Sequence, residues 1–338
     1  MTYPPDNKTL AETDIDSVVE KVMGGKTNVI LDATMLTSLM SCGRLTDFRF
    51  NHNFQAIGGK SNSLECGSLV HTFLEYYYKN IIKGYSKDKA MAFAFVMAEM
   101  YIKGCHQCQK FVATDEVPKP LCGHKPNEFP GLFNTPKDSE GYKTGWQWVL
   151  DTLDQYCAFY RNDHWVPLEI EVVKKEILYE DDEVRILWKA KIDMVSDTNQ
   201  GIFSVDHKTM KQRRDTNSMN NQFMGQCFLM KTQKVFLNKI GFQTSLKPEE
   251  KFTRPPVSYS SPRLFEWQSE TLPYWAKVMI MYAETGHWPP NFTQCESKYG
   301  NCPFYENICS ADPGMREEEL KKYFIIGDPW NPTNDDEV

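Results

Sequence analysis

The chain has 338 residues and a formal net charge of -7 at pH 7, with 38 Lys and Arg against 45 Asp and Glu. It is long enough to bury a full hydrophobic core, and its acidic balance gives no support to nucleic-acid binding through overall charge, although a local basic groove stays compatible with it. No apolar run approaches the ~20 residues of a membrane span, and the polar start lacks the regions of a signal peptide. We therefore predict a cytoplasmic protein without a membrane partner, whose ten cysteines are free thiols or metal ligands rather than disulfides.

The first half of the chain is predicted to be mostly helical after a polar leader over residues 1–30. A short helix is expected over 32–41, with Asp32 or Thr34 as its cap, and it ends at Cys42. Apolar residues at helical spacing predict further helices over 63–82, 87–103 and 144–160. Residues 117–137 are rich in proline and glycine, so we expect a loop there. This loop belongs to a helical insertion predicted over 86–143.

The second half of the chain is predicted to alternate strands with helices. Strands are expected over 168–179, in two or three pieces of 184–209 around a polar turn at 196–201, and over 234–240 and 254–259. Helices are expected over 217–232 and over 263–284, the latter broken near Pro273. No flexible linker divides the chain, so residues 31–310 form one mixed α/β domain, followed by a C-terminal helix and acidic tail over 311–338.

Two carboxylates interrupt the apolar pattern of the strands in 184–209. Asp193 and Asp206 lie between β-branched and aromatic residues, and Lys208 follows Asp206 at i+2, on the same face of the strand. Buried carboxylates are tolerated when they bind a cation, which a lysine can assist by orienting water. The alternative is structural, with Asp193 capping a turn and Asp206 paired with Lys208.

His71 lies on an apolar face of the helix predicted over 63–82. A lone histidine in such a place is usually a satisfied core residue. If this helix packs beside the two aspartates, its neutral imidazole becomes a good ligand for a catalytic metal.

Four motifs in this order resemble the RecB-like branch of the PD-(D/E)XK nucleases, which includes phage recombination exonucleases and CRISPR-associated RecB-like exonucleases. They are Gly67-x3-His71, Ile192-Asp193, Val205-Asp206-His207-Lys208-Thr209 and Gln222 on a following helix. The resemblance runs from about residue 32 to 309. It implies a restriction-endonuclease-like core, in which a mixed central sheet over 168–208 is flanked by helices.

The resemblance implies a role for each motif residue. His71, Asp193 and Asp206 would bind one or two Mg²⁺ or Mn²⁺ ions together with the carbonyl of His207. Lys208 would position the attacking water and stabilise charge on the phosphate.

Gln222 matches the glutamine of the family's Gln-x3-Tyr helix motif and would position the substrate or the lysine. The sequence departs from that motif with Gln226 where tyrosine is expected, and from the pattern before Asp193 with Ala190 where a glycine is common. The first departure bears on the register of the helix motif, and the second is a small packing change.

The C-terminal cysteines form a regular set, Cys295-x6-Cys302-x6-Cys309. Cluster-containing members of the resembled family take a fourth cysteine from just before the first core helix, where Cys42 stands here. The resemblance therefore implies a 4Fe-4S cluster on these four residues, with zinc or plain thiols as alternatives, since four thiolates suit either metal. Its role would be structural, because it would close a very long loop between residues 42 and 295.

A second group, Cys105, Cys108, Cys122 and His124, has the composition of a zinc knuckle. The alternative is a set of surface thiols, and the resemblance requires no metal there.

A short basic patch, Lys211, Arg213 and Arg214, follows the second aspartate strand and is either a phosphate-binding surface or a solvated face. Together these features predict a metal-dependent deoxyribonuclease, foremost an exonuclease, acting on single-stranded DNA or duplex ends in recombination, repair or phage DNA processing, with a recombination or repair protein as a partner. The alternative is a non-catalytic DNA-binding or adaptor protein on the same scaffold.

Overall fold

The computed structural model describes residues 19–21, 26–57, 62–103, 145–210, 219–297 and 300–327. Three of the predicted features fall outside these residues. They are the zinc-knuckle group (Cys105, Cys108, Cys122 and His124), the basic patch (Lys211, Arg213 and Arg214) and the acidic end of the chain after residue 327.

The chain folds into strands and helices that follow one another in mixed order. The strands are β1 (Val19–Lys21), β2 (Thr27–Leu31), β3 (Phe54–Ala56), β4 (Val166–Glu180), β5 (Val184–Thr198), β6 (Gly201–Met210), β7 (Lys234–Gly241), β8 (Phe252–Thr253), β9 (Pro256–Ser258), β10 (Glu296–Ser297), β11 (Gly300–Asn301) and β12 (Phe324–Ile326). The helices are α1 (Ala33–Ser41), α2 (Gly43–Thr46), α3 (Asn62–Ile82), α4 (Lys87–Lys103), α5 (Gly145–Phe159), α6 (Asn221–Met230), α7 (Pro248–Lys251), α8 (Ser261–Glu266), α9 (Leu272–Thr285) and α10 (Arg316–Tyr323).

The main sheet has eight strands and is built around β5. Strand β4 pairs antiparallel with β5 along nearly its whole length. On the other edge, β2 pairs parallel with the first part of β5, as far as Leu31 opposite Trp188, and β6 pairs antiparallel with the last part, from Met194 opposite Val205. The sheet therefore forks between Trp188 and Met194. Beyond the fork, β7 runs parallel to β6 and pairs antiparallel with β8 and β9.

Helices cover both faces of this sheet, each over its own hydrophobic cluster. One cluster joins β2 and β5 to α1, α6 and α9, and Trp188 lies buried in it against Trp267 of the turn before α9. The other joins β6 and β7 to α3, α4 and α5, with Phe73 and Leu153 fully buried. The predicted mixed α/β architecture with flanking helices is confirmed.

Most predicted elements agree with the structure within a few residues. The cap of α1 is the Asp32 side chain, which accepts from the Met35 amide at 2.7 Å. The predicted polar leader over 1–30 is wrong at its end, because Thr27–Leu31 is a strand with Val29 and Leu31 fully buried in the sheet. An apolar run of only three residues, flanked by polar ones, carried too little periodicity to predict it.

Helix α4 packs in the core, since Ala90, Ala94 and Ala98 are fully buried in the cluster that contains α3. The helix predicted over 263–284 is divided by a wide turn over Trp267–Thr271. Pro273 lies in the first turn of α9, where its missing N–H costs no hydrogen bond.

In the part of the chain that the structure describes, no helix is both long and apolar enough to cross a membrane.

Candidate metal centre

Asp193 lies at the fork of the sheet, where β5 changes partners from β2 to β6. The strand ladder between β5 and β6 ends at Met194 opposite Val205, so the next residues of β6 have no main-chain partner on β5. The Asp193 carboxylate occupies this place, since its Oδ2 accepts from the backbone N–H of His207 at 2.7 Å. At the fork, Asp193 is therefore hydrogen-bonded to β6, the strand that carries Asp206.

His71 comes to the same place from α3. Its Nδ1 lies 3.7 Å from Asp193 Oδ2, and its Nε2 lies 3.2 Å from the carbonyl oxygen of His207. A carbonyl only accepts, so Nε2 carries a proton and donates to it, and Nδ1 is the ring nitrogen that faces Asp193. A metal-binding histidine usually has this arrangement, with its second ring nitrogen donating to a backbone carbonyl.

Glu171 of β4 completes the group and was not predicted. Among the described residues, His71, Glu171 and Asp193 form the one set of three such side chains whose ligand atoms all lie within 4.8 Å of one another. Glu171 has a backbone φ of 54°, which is uncommon for a residue other than glycine. Its neighbours Ile170 and Val172 keep their pairing with β5, whereas Glu171 does not. This local distortion lies opposite Asp193 on the neighbouring strand. The alternation of apolar and polar residues in the sequence does not predict it.

Asp206, Lys208 and Gln222 form a second group beside the first. Asp206 is 1% exposed. Lys208 Nζ lies 2.7 Å from its Oδ2, and Gln222 Nε2 donates to its Oδ1 at 2.8 Å. Gln222 Oε1 is in turn 3.5 Å from Lys208 Nζ. Gln222 is held at the start of α6, where the Asn220 side chain caps its amide. The predicted lysine, aspartate and glutamine are therefore in mutual contact, and Lys208 is an ion-pair partner of Asp206 here.

Without a cation, the ionised forms of Asp193 and Asp206 are energetically unfavourable. Burial, followed by the nearby charge of Asp206, raises the pKa of Asp193 to about 7. Burial also raises the pKa of Asp206, against the opposing effect of Lys208. The pKa of the buried His207 imidazole falls well below its usual value, because of desolvation and then of the nearby His71, Arg254 and Lys208. A divalent ion would offset the repulsion between the carboxylates.

A cavity of about 410 Å³ opens beside these side chains. It is lined by Gly67, Ser68, His71, Thr72, Glu75, Glu171 and Thr209. The absent side chain at Gly67 leaves room next to the Thr209 hydroxyl, since a Cβ there would lie 3.7 Å from its Oγ1. The lining offers carboxylate, imidazole and hydroxyl groups, a set suited to a hydrated divalent ion and a phosphate.

The four cysteines predicted to act together lie in one neighbourhood, although 253 residues separate Cys42 from Cys295. Burial and then the nearby Cys302, Cys309 and Cys42 raise the pKa of the Cys295 thiol. The Asn291 amide donates to Cys42 Sγ at 3.2 Å, and the Cys302 amide donates to the Cys295 carbonyl at 2.7 Å. All four are free thiols.

A small hydrophobic cluster surrounds the C-terminal cysteines. Phe48, Phe304, Ile308 and Phe324 are buried together, and Cys302 and Cys309 pack against them. Strand β12 pairs with β3, so residues 324–326 lie beside the segment that follows Cys42.

The comparisons with known proteins identify no family. No protein-family profile matches the chain, and no curated protein matches it. A solved structure titled "Crystal structure of SSO0001" aligns with a TM-score of 0.24 and 13% sequence identity. The alignment covers 38% of this chain and 59% of that chain. A TM-score of 0.24 carries no conclusion about fold or activity.

Proposed function

We propose that this protein is a metal-dependent deoxyribonuclease that hydrolyses phosphodiester bonds with Mg²⁺ or Mn²⁺ and acts as an exonuclease. The observation that carries the proposal is the convergence of His71, Glu171 and Asp193 within 4.8 Å, next to the buried contact between Asp206 and Lys208. The two carboxylates are hard oxygen ligands suited to these ions, and the imidazole adds a nitrogen ligand.

Each side chain of the centre has a proposed task. His71 through Nδ1, Glu171 and Asp193 would hold the ion, and Asp206 would add negative charge beside them. The resemblance implies that the His207 carbonyl also binds the metal. Since that oxygen is 3.2 Å from His71 Nε2, we assign it the task of orienting His71 while Nε2 keeps its proton.

Lys208 would act on the water and the phosphate. Its ammonium group is held between Asp206 Oδ2 and Gln222 Oε1, and its side chain is 40% exposed, so it can reach solvent without leaving the site. A fixed positive charge there stabilises the negative charge that develops on the phosphate during attack. A bound divalent ion supplies the Lewis acid that lowers the pKa of the attacking water.

We further propose a restriction-endonuclease-like core with a 4Fe-4S cluster on Cys42, Cys295, Cys302 and Cys309. The fork of the sheet at the candidate site supports the first assignment. The shared neighbourhood of the four thiols supports the second. The cluster would join the end of α1 to the C-terminal segment. Protein purified without oxygen should contain about four iron atoms and be brown, whereas zinc would leave it colourless.

The activity is tested on end-labelled single-stranded and duplex DNA with Mn²⁺, Mg²⁺ or a chelator. The variant Asp193→Asn removes one carboxylate charge at the centre, and Asp197→Asn is the matched control, because Asp197 is an exposed residue of the same strand. We expect metal-dependent cleavage by the wild type and the control and a loss of at least ~100-fold in Asp193→Asn.

Two results would contradict the proposal. Equal cleavage by wild type and Asp193→Asn would show that the activity comes from elsewhere. DNA binding without cleavage under every divalent ion would instead support the non-catalytic DNA-binding alternative.

A further inference from the structure

A buried polar network surrounds the His207 imidazole. The Asn238 side chain of β7 contacts the His207 imidazole, with 2.9 Å between Nδ2 and Nδ1. Asn238 also contacts the Tyr156 hydroxyl of α5 at 2.9 Å. Tyr156 contacts the Tyr78 hydroxyl of α3 at 2.6 Å. The network thus links three elements around the residue that lies between Asp206 and Lys208.

Arg254 anchors this network. Its guanidinium forms an ion pair with Asp163 and donates from Nη2 to the hydroxyls of Tyr78 and Tyr156, each at 3.2 Å. The same group stacks on the Tyr160 and Trp165 rings, with 3.7 and 4.4 Å to their centroids. Its side chain is 7% exposed. Charged, hydroxyl and aromatic groups therefore surround the Arg254 guanidinium.

The position of Arg254 determines the orientation of the Asn238 amide. Arginine has only donors, and Arg254 Nε lies 3.3 Å from Asn238 Oδ1. The amide oxygen must therefore face Arg254, and the amide nitrogen must face His207. An amide turned by 180° would place donor against donor at Arg254.

The Asn238 amide in turn determines the tautomer of His207. Because an amide nitrogen only donates, Nδ1 of His207 must accept, and the ring proton resides on Nε2. The main chain of this residue contacts both sides of the metal centre, since its N–H donates to Asp193 and its carbonyl faces His71. Fixing the imidazole therefore fixes two contacts that orient the ligands.

We propose that Asn238 and Arg254 are positioning residues that act through the His207 imidazole on the metal centre. The proposal rests on the metal centre of the proposed function. Outer hydrogen-bond partners of metal ligands typically contribute 10–100-fold to metal affinity. A network that only stabilised the fold would leave metal affinity unchanged when it is broken, which separates the two roles.

The test measures Mn²⁺ affinity by titration calorimetry and the His207 tautomer by ¹⁵N NMR, on the full chain. Asn238→Leu keeps the volume of the side chain and removes the donor. Asn238→Asp keeps the shape and replaces the donor with an acceptor, so it should move the proton to Nδ1. The matched control is Asn80→Leu, because Asn80 is also buried and donates only to the Tyr76 carbonyl in the contacts described for it.

We expect wild-type His207 to show the Nε2–H tautomer and both Asn238 variants to bind Mn²⁺ about 10–100-fold more weakly. Asn80→Leu should lower the melting temperature and leave Mn²⁺ affinity within about twofold. If a folded Asn238 variant binds Mn²⁺ as tightly as Asn80→Leu does, the positioning role is refuted. Should Asn238→Leu fail to fold, Asn238→Asp decides. A wild type that binds no Mn²⁺ would overturn the proposed metal centre instead, and the two failures are distinguishable.

Discussion

Asp193→Asn should stabilise the metal-free protein while it abolishes metal binding. Burial and the Asp206 charge raise the pKa of Asp193 from 3.8 to about 7, a rise of about 3 units, or about 4 kcal/mol at 1.36 kcal/mol per unit. The folded state therefore holds this proton where the unfolded state has lost it, so the metal-free wild type loses stability as the pH rises from about 4 to about 7. Asparagine keeps the oxygen that accepts from His207 and carries no charge.

The gain depends on pH and can be measured by urea unfolding in a chelator. At pH 8 the variant should be up to about 4 kcal/mol more stable than the wild type, and at pH 5 only about 2 kcal/mol, because the wild-type residue is then mostly protonated. For 338 residues, at about 2.1 cal/mol/K each, 4 kcal/mol corresponds to a rise of roughly 6 °C in melting temperature.

Added Mn²⁺ should reverse this order, because a ligand stabilises only the protein that binds it. The exposed Asp197 provides the control, since Asp197→Asn should stay within about 0.5 kcal/mol of the wild type at either pH. A variant that is less stable than the wild type at pH 8 without metal would refute the description of Asp193 as a carboxylate whose charge is costly in the empty site.

Three further changes test other parts of the structure. Glu171→Gln should weaken Mn²⁺ binding by at least about tenfold, whereas Glu169→Gln, on the same strand and paired with Lys174, should not; equal affinities in calorimetry would remove Glu171 from the centre. Cys302→Ser should lower both the iron content and the melting temperature, and an unchanged iron content would exclude Cys302 as a cluster ligand. Gly225→Ala should cost about 3 kcal/mol in urea unfolding, because its Cβ would lie 2.2 Å from the buried Trp188 indole; a cost under about 1 kcal/mol would contradict this close packing.

The residues that sequence alone identified are those whose chemistry conflicts with their local pattern. Asp193 and Asp206 interrupt apolar strands, and Lys208 falls on the same face as Asp206 because of the two-residue period. Helical spacing places His71 on an apolar face of its helix, and the family resemblance assigned it to the site. In each case the side chain is placed by regular secondary structure, which periodicity encodes, so the residues that meet at the fork could be predicted before their contacts were known.

Glu171 and Arg254 could not be predicted, for different reasons. Glu171 is one of several charged residues of β4, and alternation encodes neither its positive φ nor its place opposite Asp193 in the register. Arg254 precedes two prolines, a context that usually marks a surface turn. Its burial depends on Asp163, Tyr156 and Tyr78, which are between 91 and 176 residues away in the chain, and such long-range contacts leave no local pattern.

The candidate site depends on the register between β5 and β6 more than on any one side chain. Val205 is fully buried and Asp206 is 1% exposed, so both faces of β6 are filled at this point. A slip of one residue would exchange the two faces and would move Asp206 and Lys208 away from Gln222. The last ladder pair, Met194 with Val205, lies in the cluster beneath α3, the helix that carries His71. The register of β6 and the placement of α3 therefore depend on the same hydrophobic cluster, so the fold and the candidate site are specified together.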